Sequence, residues 1–164
     1  MRPYEKDPAK IYEGSFATVR AEARLDRFPA ALQPLVTRVI HACGMIDLAE
    51  DVRITPEFPA SVLDAVANGR AIITDCEMVR HGIIKRFIPE SSSLICTLND
   101  AEARKRGLDK KITRSAAAVE LWRDHLAGAV VVVGNAPTAL FALLELIDGG
   151  AAKPAAIIGC PVGF

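Results

Sequence analysis

The apolar positions of this chain follow two rhythms. Up to residue 68 they recur at helical spacing. Asp7-Pro8 reads as an N-cap followed by a proline in the first turn, opening a helix that runs to about Ala23 and is weakened by Gly14. Leu32, Leu35, Val36, Val39, Ile40 and Cys43 fall on one stripe of a second helix, Pro29 to Cys43, with Gly44 as its stop. A third helix spans residues 57–68 and ends at Asn68-Gly69. The rhythm then changes. AIIT (71–74), LICT (94–97), VVVV (130–133) and AAIIG (155–159) are short, unbroken apolar runs. Runs without alternation suit strands buried on both faces, and therefore a parallel sheet. Helical stretches lie between them, at about 76–86, 100–106, 114–127 and 136–148.

Strands alternating with helices predict an α/β protein, a three-layer α/β/α arrangement around a mainly parallel sheet, Rossmann-like, with residues 1–164 as a single domain. In such sheets ligands bind at the carboxyl ends of the strands. That draws attention to Thr74-Asp75, Thr97-Leu98-Asn99, Gly134-Asn135 and Gly159-Cys160. The chain stops at Phe164, just past a strand and without a covering helix, so it reads as truncated at its C-terminus.

Composition narrows the classes of function. The formal net charge is zero, which gives no general attraction to nucleic acid or to an anionic membrane. The cations comprise 13 Arg and 7 Lys. Forked guanidinium groups suit carboxylates, so this bias fits an acidic small molecule. Cys43, Cys76, Cys96 and Cys160 lie far apart among apolar residues and read as reduced core thiols of a cytoplasmic protein. MRPYEKDPAK is too polar for a signal peptide, and no apolar run reaches membrane-spanning length. His41, His81 and His125 lack metal-ligand spacing, so no metal and no cofactor is expected. The Gly-x-Ser-x-Gly elbow of serine hydrolases is absent.

Four places could carry chemistry. His41 lies about 170° around the helix from the centre of the apolar stripe, with Thr37 and Arg38 on its side. It reads as a surface histidine, but one in the last helical turn, where the carbonyl ends favour a cation that can donate a proton near neutral pH. Ser15 and Arg20, late in the first helix, read as a solvated polar face. In KITRSAAAV (111–119), Thr113 is a good N-cap and puts Arg114 in the first turn, where a guanidinium beside free N–H groups can hold a carboxylate or simply sit at the surface. VVVVGNAPTAL (130–140) invites a phosphate-loop reading, yet neither the Walker nor the G-x-G-x-x-G pattern is met. What remains is a helix start with Asn135 and Thr138, either a cap or an anion site.

DPAKIYEGSFATVRAE, VIHACG, TDCEMVRHGI, TRSAAAV, GNAPTAL and IIGCPVGF, in this order, resemble the precorrin-8X methylmutase family over nearly the whole chain. The resemblance implies an isomerase of cobalamin biosynthesis that moves a methyl group from C-11 to C-12 of precorrin-8X, giving hydrogenobyrinate, or converts cobalt-precorrin-8 to cobyrinate. No methyl donor is needed. The resemblance makes His41 the general acid and gives Arg20 and Arg114 the acetate and propionate groups of the substrate. Ser15, Asn135 and Thr138 would lie near the tetrapyrrole. It also implies a homodimer with the site near the subunit interface. Two other readings compete: a non-catalytic tetrapyrrole carrier, and a nucleotide-dependent α/β enzyme suggested by fold class alone.

Overall fold

The computed structural model describes residues 4–162. Met1, Arg2 and Pro3 of the polar opening segment, and Gly163 and Phe164 at the end of the IIGCPVGF block, lie outside the described residues. The chain divides into two compact units, one ending at Pro56 and the other beginning at Glu57.

The N-terminal unit is helical. Helix α1 spans Pro8–Glu22, with the Asp7 carboxylate accepting the Ala9 N–H at 2.9 Å as its cap. Helix α2 spans Gln33–Cys43. It starts later than Pro29 because Pro29 and Leu32 close a separate turn first. Gly44 ends it in the left-handed conformation, φ 72°, which only glycine adopts without cost. A short helix, α3 (Leu48–Asp51), was not foreseen. Val19, Leu25, Val36, Ile40 and Ala49 form the core, with Phe28, Ile46 and Leu48 packed around it.

The buried arc of α2 differs from the predicted stripe. Leu32, Val36, Thr37 and Ile40 are buried, whereas Leu35 and Cys43 are exposed. The arc is therefore rotated by about 50° toward His41. Thr37 tolerates burial because its hydroxyl donates to the Gln33 carbonyl at 2.8 Å.

The C-terminal unit is built on four parallel strands. In chain order it runs α4 (Phe58–Ala67), β1 (Ile72–Thr74), α5 (Glu77–Gly82), β2 (Leu94–Ile95), α6 (Ala101–Lys110), α7 (Arg114–Val119), β3 (Val130–Val133), α8 (Pro137–Asp148) and β4 (Ala156–Gly159). The strand order is β2-β1-β3-β4, with Thr74 opposite Val132 and Val133 opposite Gly159. Alternate residues of the sheet feed two cores. Ile73, Val131 and Val133 pack with Trp122, Leu126 and Leu143. Ile72 and Val130 pack with Ala65, Val62 and Ile88. Helices thus cover both faces, and the predicted α/β architecture is present.

Two predicted helices are shorter. The stretch predicted at 76–86 holds α5 and the start of a separate 3-10 turn, Lys85–Phe87. Residues 114–127 hold six residues of α7 followed by a 3-10 segment, Glu120–His125. This segment carries Trp122, whose indole N–H donates to the Thr97 hydroxyl at 3.0 Å, while that hydroxyl donates to the Ala118 carbonyl at 2.9 Å. The relay ties the chain after β2 to α7 with both buried polar groups satisfied. Among the described residues no helix is long and apolar enough to cross a membrane.

The cysteines are less uniform than their sequence neighbours imply. Cys76 is buried and Cys96 half-buried, but Cys43 and Cys160 are exposed. Cys43 is the last residue of α2, and Cys160 follows the last residue of β4.

Candidate functional site

In the N-terminal unit the site begins with His41, in the last turn of α2. The rotation of the buried arc brings its imidazole to the edge of the core, where it is half-buried instead of fully solvated. The ring packs on two aromatic residues of α1. Its centroid lies 5.4 Å from that of Tyr12, tilted by 43°, and 5.2 Å from that of Phe16, edge-on at 88°. Tyr12 and Phe16 themselves meet edge-to-face at 5.9 Å. Arg38 lies over the Phe16 ring at 5.6 Å. Edge-to-face packing fixes the plane of a ring while leaving part of its perimeter open. His41 is therefore oriented by apolar contact and keeps access to a ligand or to water.

Tyr12, Phe16 and Arg20 are four residues apart, so the exposed Arg20 continues the aromatic ridge against which His41 rests. Ser15 is half-buried beside Phe16 in the sequence. Sequence reasoning missed the two aromatic partners, although their i, i+4 spacing was a usable signal.

In the C-terminal unit the remaining candidates gather where α7 and α8 begin. Thr113 caps α7 by accepting the Ala116 N–H at 3.2 Å, and its hydroxyl donates to the Thr138 hydroxyl at 2.9 Å. This link places exposed Arg114 beside the first turn of α8. Because the Ala116 N–H is already taken and α7 has only six residues, Arg114 offers a guanidinium, not the amide-lined helix end that the sequence suggested.

The anion-loop reading of VVVVGNAPTAL is overturned. The N–H groups of Gly134, Asn135 and Ala136 donate to the Asp75 carboxylate at 3.0, 2.9 and 2.8 Å. The carbonyls of Val133 and Asn135 accept from the N–H groups of Cys160 and Val162 at 2.9 and 3.2 Å. The chain thus supplies its own anion, and the side chains of Asn135 and Thr138 are what the turn can present. Gly134 is required there by close approach, since a Cβ would lie 2.6 Å from a Val79 methyl. The carboxyl edge of β1 named Asp75 from sequence, but its partners come from a strand crossover that spans 59–61 residues.

Other titratable groups near the strand ends are poor nucleophile candidates. Burial pushes the Cys96 thiol above its ordinary value, which disfavours a reactive thiolate. Arg80, 3.0 Å from Glu77, holds that carboxyl below the usual range. A groove of about 440 Å³ between α6, α7 and α8 contains none of the predicted site residues. Its Arg106 and Lys110 are engaged by Glu120 at 3.4 and 2.7 Å. Among the described residues no group of three or more His, Cys, Asp or Glu side chains could hold a metal ion.

Comparison with known proteins covers almost the same span as these sites. Residues 10–164 match the family model described as precorrin-8X methylmutase. The chain is 51% identical to a precorrin-8X methylmutase of Pseudomonas aeruginosa over 164 residues, covering 100% of this chain and 79% of the relative. It is 47% identical to a precorrin-8X methylmutase of Sinorhizobium sp., covering 98% of this chain and 77% of the relative. Its structure is similar to that of a precorrin-8x methyl mutase from Thermus thermophilus, with a TM-score of 0.81 and 35% identity, covering 95% of this chain and 76% of that one.

Proposed function

The chain belongs to the precorrin-8X methylmutase family, intramolecular methyl transferases of cobalamin biosynthesis, and on that premise we propose that it moves the methyl group of precorrin-8X from C-11 to C-12 with His41 as general acid. The observation that carries the activity is the family match over residues 10–164, reinforced by 51% identity to a relative of the same name. Both relatives named above carry the precorrin-8X form of the name, which favours the cobalt-free substrate, giving hydrogenobyrinate, over cobalt-precorrin-8.

Substrate and product of this shift are isomers. The methyl leaves one ring carbon and bonds to its neighbour, and a proton lent to the macrocycle must come back. A proton from His41 makes the conjugated system electron-poor and lowers the barrier to a [1,5]-sigmatropic migration. Its open edge and its fixed ring plane between Tyr12 and Phe16 suit a donor of this kind. Arg20 and Arg114 take acidic side chains of the substrate, and Ser15, Asn135 and Thr138 contact the macrocycle. Positioning of a large, flat polyanion supplies much of the remaining rate. The working form is a homodimer in which both copies contribute to enclosing the tetrapyrrole.

The test is conversion. Purified protein mixed with a large excess of precorrin-8X should give the absorbance spectrum of hydrogenobyrinate over many turnovers. Stoichiometric binding with no new product would establish the carrier reading instead. Size measurement in solution with and without hydrogenobyrinate checks the dimer.

A further inference from the structure

Asp75 is the one carboxylate among the buried residues of the described chain, 2% exposed. Among the described residues no cation pairs with it, and its partners are the three successive N–H groups of residues 134–136. Burying a carboxylate is costly unless its hydrogen bonds are complete, so a carboxylate kept at such a place has a structural or a functional return. Here the bonds are short and charge-assisted, and they reach from the end of β1 to the turn that starts α8. Cys160 and Val162 hold the same turn through its carbonyls. Val79 presses against Gly134 from the side of α5. With its N–H groups, two carbonyls and Gly134 all engaged, and the Thr138 hydroxyl already held by Thr113, the turn's free polar side chain to offer a ligand is that of Asn135.

We infer that Asp75 is a positioning residue of the tetrapyrrole site: it holds the 134–136 turn in the shape that lets Asn135 meet the macrocycle. This rests on the reading that Asn135 touches the tetrapyrrole. Asp75 itself does not.

The experiment is a double-mutant cycle read by absorbance titration with hydrogenobyrinate, using the full chain, Asp75→Asn, Asn135→Ala and the double variant, each checked for folding by thermal melting. Asparagine turns a donor toward at least one of the three N–H groups and loosens the turn. Each single variant should weaken binding by about tenfold, and the double variant should bind no worse than Asn135→Ala alone, because Asp75 acts through Asn135. Wild-type binding by folded Asp75→Asn, or losses that simply multiply in the double variant, would overturn the positioning role. Wild-type binding by Asn135→Ala would overturn the contact reading, and the positioning role with it, whatever Asp75→Asn does. If Asp75→Asn does not fold, Asp75→Glu replaces it in the same cycle, since it keeps the charge and shifts the grip by one methylene. If neither folds, Asp75 serves the fold alone and the inference fails.

Discussion

The two units of this protein treat their polar side chains in opposite ways. In the N-terminal unit His41 rests on aromatic rings at the edge of a small helical core and keeps an open perimeter. In the C-terminal unit the turn bearing Asn135 has its N–H groups spent on Asp75 and two of its carbonyls on Cys160 and Val162. A group that exchanges protons needs access. A group that orients a large ligand needs a backbone that does not yield. On the proposed reading the chain serves both demands by assigning them to separately packed regions.

The contrast can be broken first at the cores. Trp122→Ala should cost about 3–5 kcal/mol of stability, because it removes the largest fully buried side chain and leaves the Thr97 hydroxyl without its donor. Ile40→Ala should cost less, toward the lower end of about 2–5 kcal/mol, since the core of the N-terminal unit is small and can close around the gap. Urea unfolding followed by fluorescence and circular dichroism measures both. An equal or larger loss for Ile40→Ala would remove the distinction between the two cores.

A smaller effect is expected at the ligand. Arg114→Ala should weaken hydrogenobyrinate binding by about tenfold with an unchanged melting temperature, since the guanidinium is exposed and supports no core. Titration and melting on the same sample read both quantities.

The smallest effect is acid sensitivity. The hydrogen bond from Arg106 holds the Glu102 carboxyl below the usual carboxylate range, and that from Arg80 does the same for Glu77. A carboxyl lowered in the folded state stabilises fully above its unfolded value and loses that contribution as pH falls through the lower folded value. Stability should therefore decline slightly more in wild type than in Arg106→Gln between about pH 6 and about pH 3, by urea midpoints. These pairs are exposed, so the difference should be modest.

Much of the fold was legible because its signals are local. VVVV coincides with β3, and the other apolar runs each contain a strand. The helix predicted for residues 100–106 in fact continues to Lys110, because Gly107 is buried against α7 instead of ending a helix. The division of 114–127 into a helix and a 3-10 segment depends on where Trp122 must sit to reach Thr97, which no local pattern encodes. Among the site residues, the sequence named His41 and Arg114 from helix-end chemistry. It misjudged the surroundings of both. The rotation of α2 is decided by what α1 presents, and the filling of the 134–136 turn is decided by a residue 59–61 positions earlier. Long-range partners of this kind are invisible to periodicity.

If His41 is the general acid, it is needed for the methyl shift and not for holding the tetrapyrrole. Single-turnover conversion of precorrin-8X by wild type and by His41→Ala, with hydrogenobyrinate titrated into both, tests it most directly. His41→Ala should convert precorrin-8X at a rate lower by about 10² to 10⁴ with product affinity nearly unchanged. Turnover by His41→Ala at the wild-type rate would contradict it.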